Sequence, residues 1–203
     1  MEKEVQLIKP FGPSILEMNC DLESIDNFNK FLDQMSEEDK KMRSSKTDKD
    51  HKNIPDLLER SFEILYLTNN DLLETKIHEQ ISYAARQYLN FFGTKNLKVY
   101  LPQASFSEKF VDVWVNNYDK DSITPPHRHR GFLSGVIILQ LPKTESINCL
   151  QYIWNNEIYN PEECVGKLLL FPNHLIHWVR RQHSGGRKTL SFNLFAEENN
   201  NMQ

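Results

Sequence analysis

Cysteine is scarce in this chain, with three among 203 residues. Cys20, Cys149 and Cys164 are odd in number and far apart. That argues against a disulfide framework or a thiolate zinc site, and for free thiols in a reducing compartment. Long apolar runs are missing too. No stretch approaches the roughly 20 residues needed to span a bilayer. The opening MEKEVQLIKPFGPSI lacks a basic-then-apolar leader pattern, so a cytoplasmic location is expected. Charge of one sign is also wanting. Lys and Arg number 24 against 28 Asp and Glu, a net charge of −4, so no general attraction to nucleic acid or to an anionic membrane is expected. No internal repeat is visible. What is present, 39% hydrophobic and 26% charged residues, fits a soluble globular protein, and the length fits one domain with a real core.

The texture changes along the chain. Val5 to Leu16 is broken by Pro10, Gly12 and Pro13 and reads as an edge strand and a turn. Asp21 opens a helical pattern with Ile25, Phe28, Phe31 and Leu32 on one stripe. Ser36 to Asn53 is nearly all polar and reads as a mobile linker, with a lid over 37–53 as the functional alternative. Ile54 to Leu67 reads as a short helix and an apolar patch. Asp71 to Phe92 is the strongest helical pattern, with Leu72, Leu73, Ile77, Ile81, Ala84, Tyr88 and Phe92 on its stripe and Gly93 as its stop.

After Gly93 the period becomes that of strands. Leu97–Leu101, Lys109–Asn117, Gly131–Pro142, Cys149–Trp154, Val165–Phe171, His174–Arg181 and Arg187–Ala196 give seven short strands. The run over Gly131–Pro142 is apolar on both alternating faces, so both are expected to be covered. Strands after helices argue for a mainly β protein, an antiparallel jelly roll with N-terminal α support. The expected single domain covers 1–203: an N-terminal strand, polar loop and helices over 1–96, a jelly-roll core over 97–197 and a frayed tail over 198–203.

The residues that carry chemistry lie in the strand half. Pro125-Pro126 favours extended backbone, and His127 and His129 at i, i+2 then share one side, with Arg128 on the other. His177 lies 48 positions further on (177 − 129 = 48), at the end of another apolar run. Three imidazoles converging from two strands make a facial metal site with open positions, as in non-haem iron oxygenases. The plain alternative is a polar loop with surface histidines. His174, three residues before His177, falls on the opposite side of a strand, and His183 lies in a polar turn beside Gly185-Gly186. Asp121 is the substitute ligand should His129 not serve.

Arg187 offers a planar fork for a carboxylate. In its strand Arg187, Thr189, Ser191 and Asn193 share a polar face, suited to a barrel interior that holds a small dicarboxylate, or simply to solvent. Ser134 and Gly135 interrupt an apolar strand, and Gly135 suggests close approach of a backbone or a ligand. Asn116, Trp114 and Tyr118 line a pocket mouth or belong to the core, and Phe11, Trp154 and Trp178 are open to the same two readings.

Trp114-Val115-Asn116, His127-Arg128-His129, Leu133-Ser134-Gly135-Val136, Leu170-Phe171-Pro172 with Leu175 and His177, and Arg187 with Ser191-Phe192-Asn193 together resemble the 2-oxoglutarate and iron(II)-dependent oxygenase family of marine bacteria and their phages, within the prolyl-hydroxylase-like superfamily. Phe11-Gly12-Pro13-Ser14-Ile15 and Asn27-Phe28-Asn29 resemble its N-terminal strand and helix. The resemblance implies a cupin-like double-stranded β-helix in the cytoplasm of a bacterium or an infected host cell. It implies His127, His129 and His177 as catalytic iron ligands and Arg187 as the 2-oxoglutarate anchor. Thr189, Ser134 and Asn116 are taken as further cofactor-binding residues. The implied reaction is hydroxylation by O2 of a prolyl peptide or small metabolite, with release of succinate and CO2. Better-known relatives carry His-x-Asp or His-x-Glu where this chain has His-x-His. The all-histidine set also resembles thiol dioxygenases, which need no 2-oxoglutarate. The alternatives are therefore a three-histidine cupin-type dioxygenase and a non-catalytic metal- or ligand-binding jelly roll. Because ligating imidazole must be neutral, metal affinity is expected to weaken below about pH 6.5.

Overall fold

The computed structural model of the chain describes residues 4–10, 12–46, 63–94, 96–102, 112–143 and 148–198. In chain order the elements are β1 (Val5–Ile8), β2 (Ile15–Asn19), α1 (Leu22–Gln34), α2 (Glu37–Arg43), β3 (Ser44–Lys46), β4 (Glu63–Tyr66), α3 (Asn69–Glu74), α4 (Ile77–Phe91) and β5 (Leu97–Tyr100). Then follow β6 (Val113–Tyr118), β7 (Thr124–His127), β8 (Leu133–Gln140), β9 (Leu150–Trp154), β10 (Glu157–Tyr159), β11 (Lys167–Pro172), β12 (Ile176–Val179) and β13 (Arg187–Glu198).

The strands form two antiparallel sheets. The larger runs β1-β2-β11-β8-β13-β6-β4-β3, with β5 also on β13, and the smaller runs β10-β9-β12-β7. The inner strands β6, β13, β8 and β11 face the four-stranded sheet, a double-stranded β-helix. Period-two alternation decides what lies on each side. From β8, Leu133, Ile137 and Leu139 join the cluster beneath the helices, while Val136 and Ile138 join the cluster between the sheets. Both faces of that strand are thus covered, as its apolar run predicts. In β13, Leu190, Phe192 and Leu194 face the helices. Arg187, Thr189, Ser191 and Asn193 take the opposite face and are buried, which rules out the solvated alternative.

The helices close the outer face of the large sheet. Asp21 caps α1 by accepting from the Ser24 N–H at 3.0 Å, and Ile25, Phe28 and Leu32 are buried. The continuous helix expected from Asp71 is two. Thr68 and Asp71 form a capping box that starts α3 earlier. The Thr75 hydroxyl then bonds back to the Asp71 and Leu72 carbonyls at 3.1 and 3.2 Å, and Lys76 turns left-handed at φ 60. The stripe is correspondingly narrower, since Leu73 and Phe92 are exposed. Gly93, at φ 63, makes the expected stop.

Other expectations are corrected. The polar stretch opens with helix α2 and strand β3, capped by Ser36. Residues 47–53 lie outside the described set, as do Phe11, 109–111 and 54–62 where the short helix is expected, and the apolar patch after it is strand β4, Glu63–Tyr66. Four further strands, β2, β3, β4 and β10, are not announced by the sequence pattern. At the tail Glu197 and Glu198 are paired with β5. Gly135 is approached by the Phe192 ring on the helix side, where an added Cβ would lie 2.1 Å from a ring carbon; neither a backbone nor a ligand is involved. Among the described residues no helix is long and apolar enough to cross a membrane.

Candidate metal centre

His127 ends β7 and sits directly opposite His177 of β12 in the ladder. His129 lies in the loop leading to β8. Its backbone is clamped to the turn before β12: its N–H donates to the Asn173 carbonyl at 3.0 Å, and Asn173 Nδ2 donates to the His129 carbonyl at 3.3 Å. The three ring centroids lie 4.3, 4.8 and 5.0 Å apart, and one nitrogen from each ring falls within 4.8 Å of the others. This group could hold a metal ion. Among the described residues it is the one such cluster.

The hydrogen bonds orient the rings. His127 Nδ1 lies 2.8 Å from the Pro125 carbonyl and His177 Nδ1 lies 3.0 Å from the Leu175 carbonyl. A carbonyl only accepts, so each Nδ1 carries the proton and each Nε2 keeps its lone pair. His129 Nε2 stands 3.2 Å from His177 Nε2. A shared proton or a shared cation satisfies that contact, and three converging imidazole lone pairs suit a divalent transition metal.

Burial disfavours the charged rings. His177 is driven well below its ordinary value by burial, and then by His127 and His129. His129 is pushed down to about 3 by burial and then by His127. His127 is lowered by burial against the Pro125 carbonyl, which raises it. The three rings are neutral at neutral pH, so protonation competes with a metal only at more acid pH than the expected 6.5 or so.

Apolar rings wall the cluster. Phe171 packs edge-on to His177 at 4.8 Å and Trp114 lies 5.4 Å from His129. Tyr152, unnoticed in the sequence, is 5.9 Å from His177, and its buried hydroxyl has no partner among the described residues. Burial, and after it the charge of Glu163, pushes that hydroxyl's pKa up.

Other candidates lie elsewhere. His174 is exposed against the Trp154 ring at 6.0 Å, and His183 and Arg128 are exposed. Asp121 stands in a left-handed turn at φ 68 and pairs with Arg181 at 3.9 Å. Trp154 packs over Gly12, and Trp178 is half-buried. Tyr118 belongs to the core between the sheets. Asn116, Thr189 and Ser134 are buried and bonded along one seam. Asn116 Nδ2 donates to Thr189 Oγ1 at 3.2 Å and Ser191 Oγ at 3.0 Å, and Ser134 Oγ donates to Asn193 Oδ1 at 3.1 Å. Asn193 Nδ2 in turn donates to Asp112 Oδ1 at 3.1 Å.

Arg187 is buried at 1% exposure and already has an acid. Its Nε donates to Glu163 Oε2 at 3.1 Å, and its Nη2 lies 3.0 Å from the same oxygen, off the line of a hydrogen bond. The Tyr118 ring lies 5.2 Å from the guanidinium carbon. No pattern in the sequence ties Glu163, in a polar loop, to Arg187.

No protein-family model and no curated protein matches the sequence. Solved structures do resemble the fold. A prolyl hydroxylase from Trichoplax adhaerens, in complex with a hypoxia inducible factor oxygen degradation domain peptide fragment, aligns over 90% of this chain and 82% of its own at 12% identity and TM-score 0.60. HygX from Streptomyces hygroscopicus, with nickel and 2-oxoglutarate bound, aligns over 89% and 82% at 10% identity and TM-score 0.55. The non-heme alpha ketoglutarate dependent epimerase SnoN from nogalamycin biosynthesis aligns over 90% and 77% at 10% identity and TM-score 0.56. The double-stranded β-helix is thus shared with a prolyl hydroxylase and with two 2-oxoglutarate-linked proteins, and a three-histidine cluster is present in this chain's copy of it.

Proposed function

We propose that this chain is an iron(II)- and 2-oxoglutarate-dependent dioxygenase that hydroxylates a prolyl peptide or a small metabolite. One observation carries the reading: one nitrogen from each of the rings of His127, His129 and His177 lies within 4.8 Å of the others, with the Nδ1 atoms of His127 and His177 engaged by carbonyls and their Nε2 atoms left to ligate. The fold it shares with HygX, solved with nickel and 2-oxoglutarate, and with a peptide-bound prolyl hydroxylase supports it.

In this reading His127, His129 and His177 would hold the iron. When bound, iron(II) and 2-oxoglutarate supply the oxidising power: one oxygen atom of O2 enters the substrate C–H bond, the other enters succinate, and CO2 leaves. The chain's own part is to place and to shield. The bonds to the Pro125 and Leu175 carbonyls fix two rings in the ligating tautomer. Asn173 fixes the backbone of the third. Phe171 and Trp114 exclude water beside the rings. The Tyr152 hydroxyl and the Arg187 guanidinium are buried donors and would suit the far carboxylate of the co-substrate. Thr189, Ser134 and Asn116 hold the strands around that carboxylate, and a hydroxyl that accepts still has a proton to give.

The Arg187–Glu163 pair favours a second reading. An anchor neutralised by an internal acid suits a three-histidine dioxygenase that takes no 2-oxoglutarate. Anaerobic titration separates the readings. Iron(II) followed by 2-oxoglutarate should give a weak visible charge-transfer band, and admitting O2 with candidate peptides and amino acids should release succinate. Iron binding without the band selects the three-histidine dioxygenase. Absence of oxygen consumption with any co-reactant leaves a metal-binding jelly roll.

A further inference from the structure

Arg187, at the start of β13, is enclosed by parts of two other segments. Tyr118 of β6 lies over its guanidinium, and Glu163 of the loop before β11 meets its edge. The other Glu163 oxygen, Oε1, accepts from the backbone N–H of Cys149 at 2.9 Å and of Leu150 at 2.6 Å. The Glu163 carboxylate therefore sits among three N–H donors and a second guanidinium nitrogen, with its side chain 1% exposed. Charged acceptors make the stronger hydrogen bonds, and such a cradle binds a carboxylate whatever carbon chain bears it. Nothing in it requires the group to be a side chain of this protein. Arg187 also has capacity left, because its Nη1 is buried with no hydrogen-bond partner among the described residues.

We propose that Glu163 is the tethered occupant of a carboxylate receptor centred on Arg187, and that it thereby determines which carboxylates the site accepts. While it is seated, a second carboxylate meets a neutralised cation and a like charge. A dicarboxylate binds by displacing it, so the unaltered protein holds dicarboxylates weakly. Glu163 is a specificity-determining residue in this sense. The inference rests on the 2-oxoglutarate reading only for the identity of the competing ligand, and the two fail separately.

The test is Glu163→Ala in the full chain. It leaves Arg187 buried and unpaired, and its melting temperature should fall by roughly 10 °C. Sodium acetate should recover much of that loss where sodium chloride at equal ionic strength does not, and should leave the unaltered protein unmoved. With nickel bound and O2 excluded, calorimetric titration with 2-oxoglutarate should show at least about tenfold tighter binding to the variant, a change of about 1.4 kcal/mol. Recovery by acetate with no 2-oxoglutarate binding to either protein supports the receptor and overturns the 2-oxoglutarate reading. Equal recovery by acetate and chloride, or measurable 2-oxoglutarate binding of equal affinity in both proteins, overturns the proposal. Glu163→Gln keeps the volume and an oxygen for the Cys149 and Leu150 N–H groups, and serves if the alanine variant does not fold. Its 2-oxoglutarate affinity should also exceed that of the unaltered protein, and an affinity no higher overturns the proposal.

Discussion

Acidifying the metal-free protein from about pH 7.5 to about pH 5.5 should destabilise it by an amount the histidine cluster sets. All three rings have folded-state pKa values below the unfolded value, His129 at about 3. As pH falls, the unfolded chain takes up protons that the folded chain refuses. Their contribution to stability is complete above about pH 6.5 and is lost progressively below it, down to the folded values. At pH 5.5 an unfolded histidine with pKa near 6.5 is charged about ten to one, so each ring held neutral forfeits about 1.4 kcal/mol. Three rings together forfeit up to about 4 kcal/mol. For a chain of this size that corresponds to a melting temperature lower by about 8 to 16 °C. Calorimetric melts of chelator-treated protein at constant ionic strength measure it. His129→Asn keeps a polar side chain that does not titrate, and should lose about 1.4 kcal/mol less than the parent over the same interval. A parent whose stability holds steady or rises on acidification, or a variant with the same slope as the parent, refutes the reasoning.

Metal should work in the opposite direction. A divalent transition metal at a hundred times its dissociation constant should raise stability by about 2.7 kcal/mol, and His177→Ala should abolish the rise in a thermal melt. Gly135→Ala places a methyl 2.1 Å from a Phe192 ring carbon. It should cost about 1 to 3 kcal/mol, seen as a lower denaturant midpoint at unchanged slope.

Where local chemistry dominates, the sequence is readable. Asp21 with Ile25, Phe28 and Leu32 announces α1, and the apolar run from Leu133 announces a strand buried on both faces. The Pro-Pro-His-Arg-His segment and His177 are recognisable as partners from the extended backbone expected at i and i+2, although His129 itself stands in the loop beyond β7 and is held there by Asn173. What escapes is whatever depends on a competing local bond or on distance through space. The Thr75 hydroxyl interrupts a helical pattern that remains apolar through the break. Helix α2 buries none of its residues, so no apolar stripe betrays it, although Ser36 and Asp39 stand at capping-box spacing. The Glu163–Arg187 pair joins a polar loop to a strand start, and only tertiary structure shows that the anchor has an occupant.

The facing of His127 and His177 across the β7–β12 ladder ties metal capture to correct strand alignment. Strand β7 is the rim of the small sheet, and Pro125 and Pro126 contribute no N–H to the ladder. Backbone bonding thus polices its alignment poorly. Yet a shift by a single residue would turn the His127 ring to the other side of the sheet. An ion gripped by all three rings would fasten this loose margin, so its capture reports that the edge strand is paired in the right place.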